Sequence, residues 1–176
     1  MTRAPTPSQF RQGWETVAVS ALRQFDLGPG SSLLDVAAGN GDLSILGARA
    51  GADVTAVDVS PTMIERLDQR AHSEGLDIEA HVIDGAELDF DDRSFDVVSS
   101  LNPIGSLLDA EAHLAEMTRV ARHGGQVQMV ALAATDKAEF RTFLESGELT
   151  EVRITSEQVE RDGEFTVVNV GIGVRQ

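Results

Sequence analysis

The chain has 176 residues, and 29 acidic against 14 basic side chains give it a net charge of −15. Such a field repels phosphodiester backbones and anionic lipid, which argues against nucleic-acid and membrane partners; no apolar run approaches the roughly 18 residues of a membrane span. Cysteine is absent, so disulfides, thiolate metal sites and a cysteine nucleophile are excluded, and a start (Met-Thr-Arg-Ala-Pro) without an apolar signal core adds to the expectation of a cytoplasmic protein.

In chain order, residues 9–26 carry apolar side chains at helical spacing (Trp14, Val17, Ala18, Ala21, Leu22, Phe25) and stop at Gly28-Pro29-Gly30. The segment before them, residues 1–8, is expected to be flexible. Leu33-Leu34-Asp35-Val36 predicts a strand, Ala37 to Gly41 a tight small-residue turn, and Leu43 to Ala50 a helix closed by Gly51. The turn has no bulky side chain, so a ligand can approach its backbone. The helix start is expected to present free N–H groups. Val54 to Asp58 is a second strand; Ser60-Pro61 predicts the cap and first position of a helix that stops at Gly75.

Ile78 to Ile83 forms a third run, ending at Asp84, and Phe95 to Ser100 a fourth. The stretch Ser99 to Gly105 is expected to be a loop. A helix is predicted from Asp109 to Arg122, a strand from Gln126 to Leu132 after Gly124-Gly125, and a short helix from Lys137 to Ser146. Asp162-Gly163 between two alternating runs predicts a terminal hairpin. No repeat or linker interrupts this order, so one domain over residues 1–176 is expected.

Three of the predicted strands end in carboxylates: Asp35, Asp58 and Asp84. In a parallel sheet those ends share one edge, where ligands bind. Asp58 follows Asp35 by roughly 20 residues, the spacing at which a βαβ unit places an acid on ribose hydroxyls. A third glycine is missing near Ser44, and an acid stands at Asp35; both features speak against a nicotinamide dinucleotide.

The series LLDVAAGNGD, VTAVDVSPTMIERL, VIDGAELDFDDRSFDVVSS and EMTRVARHGGQVQMV resembles the class I S-adenosylmethionine-dependent methyltransferases, and in particular the small-molecule, ubiquinone/menaquinone-type branch. The likeness spans roughly residues 30–132 and departs at Ala37, where the family often has Gly. It implies an α/β fold: a Rossmann-like, doubly wound, mostly parallel sheet with helices on both faces and a C-terminal antiparallel hairpin. It also implies transfer of a methyl group from S-adenosylmethionine to a small-molecule acceptor. The alternative is an inactive relative that binds S-adenosylmethionine or S-adenosylhomocysteine and works through interaction. About forty residues follow residue 132, where related enzymes carry a substrate-covering segment.

By the same resemblance, Asp35 anchors the methionine end of the cofactor, and Ala37, Gly39 and Gly41 let the backbone approach it. Asp58 accepts from the ribose diol. Val59 and Met63 meet the adenine, Asp84 and Gly85 read its amine, and Ser100 lies near the transferring methyl group. Catalytic residues are hard to read because the sulfonium already activates the methyl group; Asn102 and His113 are the candidates. Asn102-Pro103 resembles part of the Asn-Pro-Pro-aromatic motif of N-methyltransferases, without its second Pro and aromatic. His72, His81 and His123 are expected away from the site, and no metal is expected. The first helix, residues 9–27 with Phe10, Arg11, Trp14 and Val17, is expected to act as a lid; a homodimer is the other way to cover the acceptor.

Overall fold

A computed structural model describes residues 15, 17–25, 27–104, 107–132, 134–161 and 164–176. Phe10, Arg11 and Trp14 of the expected lid, and Asp162-Gly163 of the expected hairpin turn, lie outside the described residues.

Short runs of apolar and small residues form β1 (Ser32–Val36), β2 (Asp53–Asp58), β3 (Glu79–Val82), β4 (Phe95–Pro103) and β5 (Ala121–Leu132), with β1 and β2 buried on both faces. The neighbouring pairs β3–β2, β2–β1, β1–β4 and β4–β5 are all parallel. Two further strands, β6 (Leu149–Arg161) and β7 (Glu164–Arg175), pair antiparallel, and β7 also runs antiparallel to β5. Among the described residues this makes one seven-stranded sheet in the order β3-β2-β1-β4-β5-β7-β6. The hairpin is as expected, but its second strand is inserted between β5 and β6.

Helix α1 (17–22), α2 (Asp42–Arg49) and α3 (Pro61–Glu74) precede the chain's move to β4; α4 (Ala110–Val120) and α5 (Lys137–Ser146) follow it. Register fixes which face each helix covers. Leu33 and Val97 are partners and pack with Ala18, Ala21 and Leu43 of α1 and α2. The next pair, Leu34 and Val98, packs with Leu114 and Met117 of α4 and Phe140 and Leu144 of α5. Successive residues alternate faces, so the sheet is covered on both sides. Val17 packs on Val130, Val168 and Val170, which seats the described part of α1 on the sheet.

Two boundaries differ from expectation. β4 continues through Asn102 to Pro103, where a loop was expected from Ser99, and its pairing with β5 shifts between Ser99 and Pro103. Pro103 sits at the last position of the strand, where a missing N–H costs least. β5 begins at Ala121, not Gln126, because Ala121 pairs with Phe95 before Gly124-Gly125.

Helix starts decide the site. Asp109 and Asp136 cap α4 and α5 through their side chains. α3 has Pro61 in its first turn and ends at Gly75 in the left-handed region, but the Ser60 side chain makes no capping bond. α2 starts at Gly41, which has φ 77° and no side chain to cap with. A Cβ on Gly41 would lie 2.7 Å from Leu67 Cγ, so α3 rests directly on the start of α2. Gly41→Ala adds left-handed strain to overpacking and should destabilise the domain by about 2–3 kcal/mol. Urea denaturation measures this, and unchanged stability would contradict the packing described.

Candidate functional site

Strand order reverses direction between β1 and β4, and a cavity of about 370 Å³ opens at their carboxyl ends, in the size range of small-molecule sites. It is lined by Asp35, Ala37, Ala38, Gly39, Asn40, Asp42, Leu43, Asp58, Met63, Leu101 and Asn102.

Asp35 is 2% exposed. Its Oδ2 accepts from the Ser44 hydroxyl at 2.5 Å and the Ser44 N–H at 3.1 Å. Ser44 is the third residue of α2, so Asp35 acts as the cap that Gly41 cannot be. No donor reaches Oδ1 among the described residues. Burial pushes the Asp35 carboxyl up to about 7 from 3.8; the Ser44 bonds oppose this, and Asp42 and Asp58 add to the rise.

Asp58 does a similar job for the turn. Its Oδ2 accepts from Gly39 N–H and its Oδ1 from Ser60 N–H, each at 2.8 Å. It lies at a strand end as expected, yet it is buried and clips the turn after β1 to the start of α3. Ala37 takes φ 56°, a left-handed conformation that costs an alanine about 1 kcal/mol. That strain is the physical reason a glycine would suit this position.

Several N–H groups of the turn are spent, while those of Asp42 and Leu43, the first two residues of α2, have no acceptor among the described residues. Ala38 N–H donates to Val57 O, Gly41 N–H to Ala38 O, Gly39 N–H to Asp58 and Ser44 N–H to Asp35. The lining is acidic, with Asp35 and Asp58 both on it, and Asn40, which also lines it, has an Oδ1 that is buried without a partner. Asp42 also lines it, paired with Arg70 at 2.5 Å. This chemistry suits a ligand end that carries positive charge and donors, and it does not suit a pyrophosphate.

The cavity therefore gathers Asp35, Ala37, Gly39, Asp58, Met63 and Asn102 from the residues singled out in the sequence. Asn40, Asp42 and Leu101 also line it without having been singled out; the only signal for them was proximity to the glycine turn and to Asn102. The other candidates stand apart. Gly41 is packed under Leu67. Val59 is 70% exposed beyond the lining. Asp84 is exposed and accepts from Ala86 N–H in its own turn. Ser100 is fully buried, and it falls on the sheet face opposite Asp35 by alternation.

His113 is buried, with Nδ1 2.7 Å from Asp109 O. Its Nε2 is 3.9 Å from Asp84, and a Cβ on Gly85 would lie 2.8 Å from that nitrogen. The imidazole thus props the turn after β3 and does not line the cavity. His72 and His81 are exposed on α3 and β3, and His123 lies by the chain end, its Nδ1 2.6 Å from Gln176 O. Among the described residues, no group of three or more His, Asp and Glu is arranged to hold a metal.

The fold and this edge define an open α/β sheet with a ligand cavity at its switch point. Residues 33–125, more than half of the chain, match the methyltransferase domain family, and the chain belongs to that family. It is 35% identical over 105 residues to an uncharacterized protein of Mycobacterium tuberculosis, covering 60% of this chain and 38% of that one. It is 35% identical over 118 residues to the ubiquinone/menaquinone biosynthesis C-methyltransferase of a Bradyrhizobium species, covering 64% of this chain and 47% of that one. The chain thus spans less than half the length of these relatives. A phosphoethanolamine N-methyltransferase of Haemonchus contortus, solved with S-adenosylhomocysteine, superposes with a TM-score of 0.77 at 16% identity, over 91% of this chain and 52% of that one; at that identity the likeness concerns the fold.

The raised Asp35 carboxyl sets a pH dependence. A folded-state value above the unfolded one gives a stability contribution that is complete below about 4 and lost as pH rises through about 7. Relative to Asp35→Asn, the wild type should therefore lose on the order of 4 kcal/mol across that window, at about 1.4 kcal/mol per unit. Denaturant unfolding of both proteins from pH 4 to 8 measures the difference; a difference independent of pH would contradict the burial described.

Proposed function

We propose that this domain binds S-adenosylmethionine at the carboxyl edge of β1, β2 and β4 and transfers its methyl group to a small-molecule acceptor. The observation that carries the reading is the cavity lined by two carboxylates, Asp35 and Asp58, beside a small-residue turn. Asp35, whose Oδ1 has no donor among the described residues, suits the ammonium of the methionine end. Asp58, already tied to Gly39 and Ser60, keeps lone pairs for a ribose diol. Met63 and Leu101 supply apolar contact, and Gly39 leaves open space where a side chain would stand.

When bound, the sulfonium supplies a methyl group already activated for transfer. The work left to this chain is alignment and exclusion of water. Asn102, on the irregular end of β4, is the polar side chain placed to orient an acceptor. His113, held against Asp109 and Asp84, acts as a prop for the turn at Asp84-Gly85, and we assign it no proton transfer. Val59, Asp84 and Gly85 border the side on which an adenine would extend from Asp58. We further propose that residues 9–27 supply a cover for the acceptor.

Calorimetric titration tests the reading. S-adenosylmethionine and S-adenosylhomocysteine should bind and NAD should not; binding of NAD alone would overturn it. Asp58→Ala should weaken S-adenosylmethionine binding by roughly 2–4 kcal/mol, since charge-assisted hydrogen bonds are lost and the turn is released. Wild-type affinity in that variant would refute the role given to Asp58. Turnover against a panel of acceptors then tests transfer itself.

A further inference from the structure

The sheet has two unlike edges. At one end β3 offers only 4 residues, Glu79–Val82. At the other lies β6, 13 residues long and free of proline and glycine. Among the described residues β6 pairs with β7 alone, so one row of its backbone N–H and C=O groups has no strand beside it. Its irregularity is confined to the first residues. Glu151 takes φ 51°, the register with β7 shifts between Thr150 and Arg153, and Val152 O accepts from Arg141 of α5. From Arg153 onward the register is unbroken. A long edge without a proline or a mid-strand bulge is a template for another strand.

The side chains of this edge decide what fits it. Arg153 is the register partner of Ile172, and Glu157 of Val168, two residues that pack with α1. By alternation Arg153, Thr155 and Glu157 share that face. Arg153 and Thr155 are exposed, and Arg153 makes no ion pair among the described residues. Glu157 is half-buried and accepts from the Ser20 hydroxyl at 2.6 Å, a neutral donor that leaves its charge uncompensated. The occupant whose charges match is a second copy of the same strand. A two-fold axis normal to the sheet at Thr155 runs the copies antiparallel. It sets each Arg153 opposite the partner's Glu157, and Thr155 opposite its twin. Opposite charges and threonine pairs directly across such a ladder stabilise it, and like charges oppose it. The neighbouring registers are worse. A two-fold at Arg153 or Glu157 sets a like charge on itself, one at Ile154 sets Glu151 opposite Glu157, and one at Ser156 sets Glu157 opposite Thr155.

We propose that β6 is a homodimer interface: two copies pair antiparallel along Arg153–Glu157, about a two-fold at Thr155, and join their sheets into one. The paired stretch has the length of an ordinary strand. The contact is small, so the association is weak and reversible. The net charge of −15 repels copies at long range. Salt at physiological strength screens that repulsion beyond about 8 Å, which leaves the ladder and its two kinds of cross-strand pair to decide. The axis reverses strand direction, so the carboxyl edges of the two sheets point opposite ways and each cavity stays open. A dimer of this kind does not cover the acceptor, and it stands or falls independently of the cofactor reading.

The test is sedimentation of the full chain over a concentration series at physiological ionic strength. The wild type should show a reversible monomer–dimer equilibrium. Arg153→Glu and Glu157→Arg should each weaken it by about tenfold or more, because two attractive pairs turn repulsive. Mixing these two variants should restore association as a heterodimer, since every acid of one then faces an arginine of the other. Damage within a single chain is not repaired by mixing. A second arm needs neither charge variant. The chain has no cysteine, so Thr155→Cys supplies a lone thiol that a short bismaleimide should join to its twin, while Gln69→Cys, exposed on α3, should crosslink far more slowly. A wild type that stays monomeric at high micromolar concentration would overturn the proposal. So would a mixture no more associated than its parts, or equal crosslinking at Thr155 and Gln69.

Discussion

The Asp35 carboxylate, buried at the end of β1 and held by Ser44 of α2, is the contact on which the rest of the site depends. It joins the first strand to the first crossover helix at the place where the sheet reverses its order. It substitutes for a capping side chain at Gly41, and Gly41 in turn must be a glycine because α3 lies against it. Strand, turn and two helices are therefore fixed by one acid and one missing side chain. Burial makes that acid expensive to ionise. The domain thus holds a charge-ready group in a place where a cation would relieve it.

The second carboxylate, Asp58, divides its two oxygens between the turn and the start of α3. The two acids together consume N–H groups that a glycine-rich turn would otherwise offer to phosphate. This adds to the missing third glycine in separating the present edge from a dinucleotide site. A phosphate site leaves its turn N–H groups free. Here Asp58 and Asp35 take the N–H groups of Gly39 and Ser44, and both carboxylates line the cavity. The arginines that hold Asp92, Glu116 and Asp96 belong to α4 and the first residues of β5, at the other edge of the sheet. The ligand edge is left acidic.

Much of the fold was legible because the elements announce themselves locally. α5 has the bounds its pattern predicts, β1 and β2 each begin one residue earlier than their apolar runs, and Pro61 and Gly75 bracket α3 as expected. The departures have one cause. Asn102-Pro103 and Gly124-Gly125 are local turn signals, yet β4 and β5 pair through both stretches by shifting register. Pairing between distant strands outweighed local preference. The insertion of β7 between β5 and β6 is likewise a matter of pairing that no local pattern encodes.

The site was half legible. Asp35, Gly39, Asp58, Met63 and Asn102 sit on the cavity because strand ends and the turn after β1 are readable positions. The use of the Gly39 N–H was not readable, since it depends on Asp58 reaching back from another strand. Nor was the burial of His113 under Gly85, or the alternation that turns Ser100 away, since both need the register between elements. The most direct measurement of the central claim is a crystal structure of the protein with S-adenosylhomocysteine. The account predicts its amino group within hydrogen-bond distance of Asp35 or Asn40 and its ribose on Asp58. Ligand density elsewhere, with those three side chains uncontacted, would contradict it.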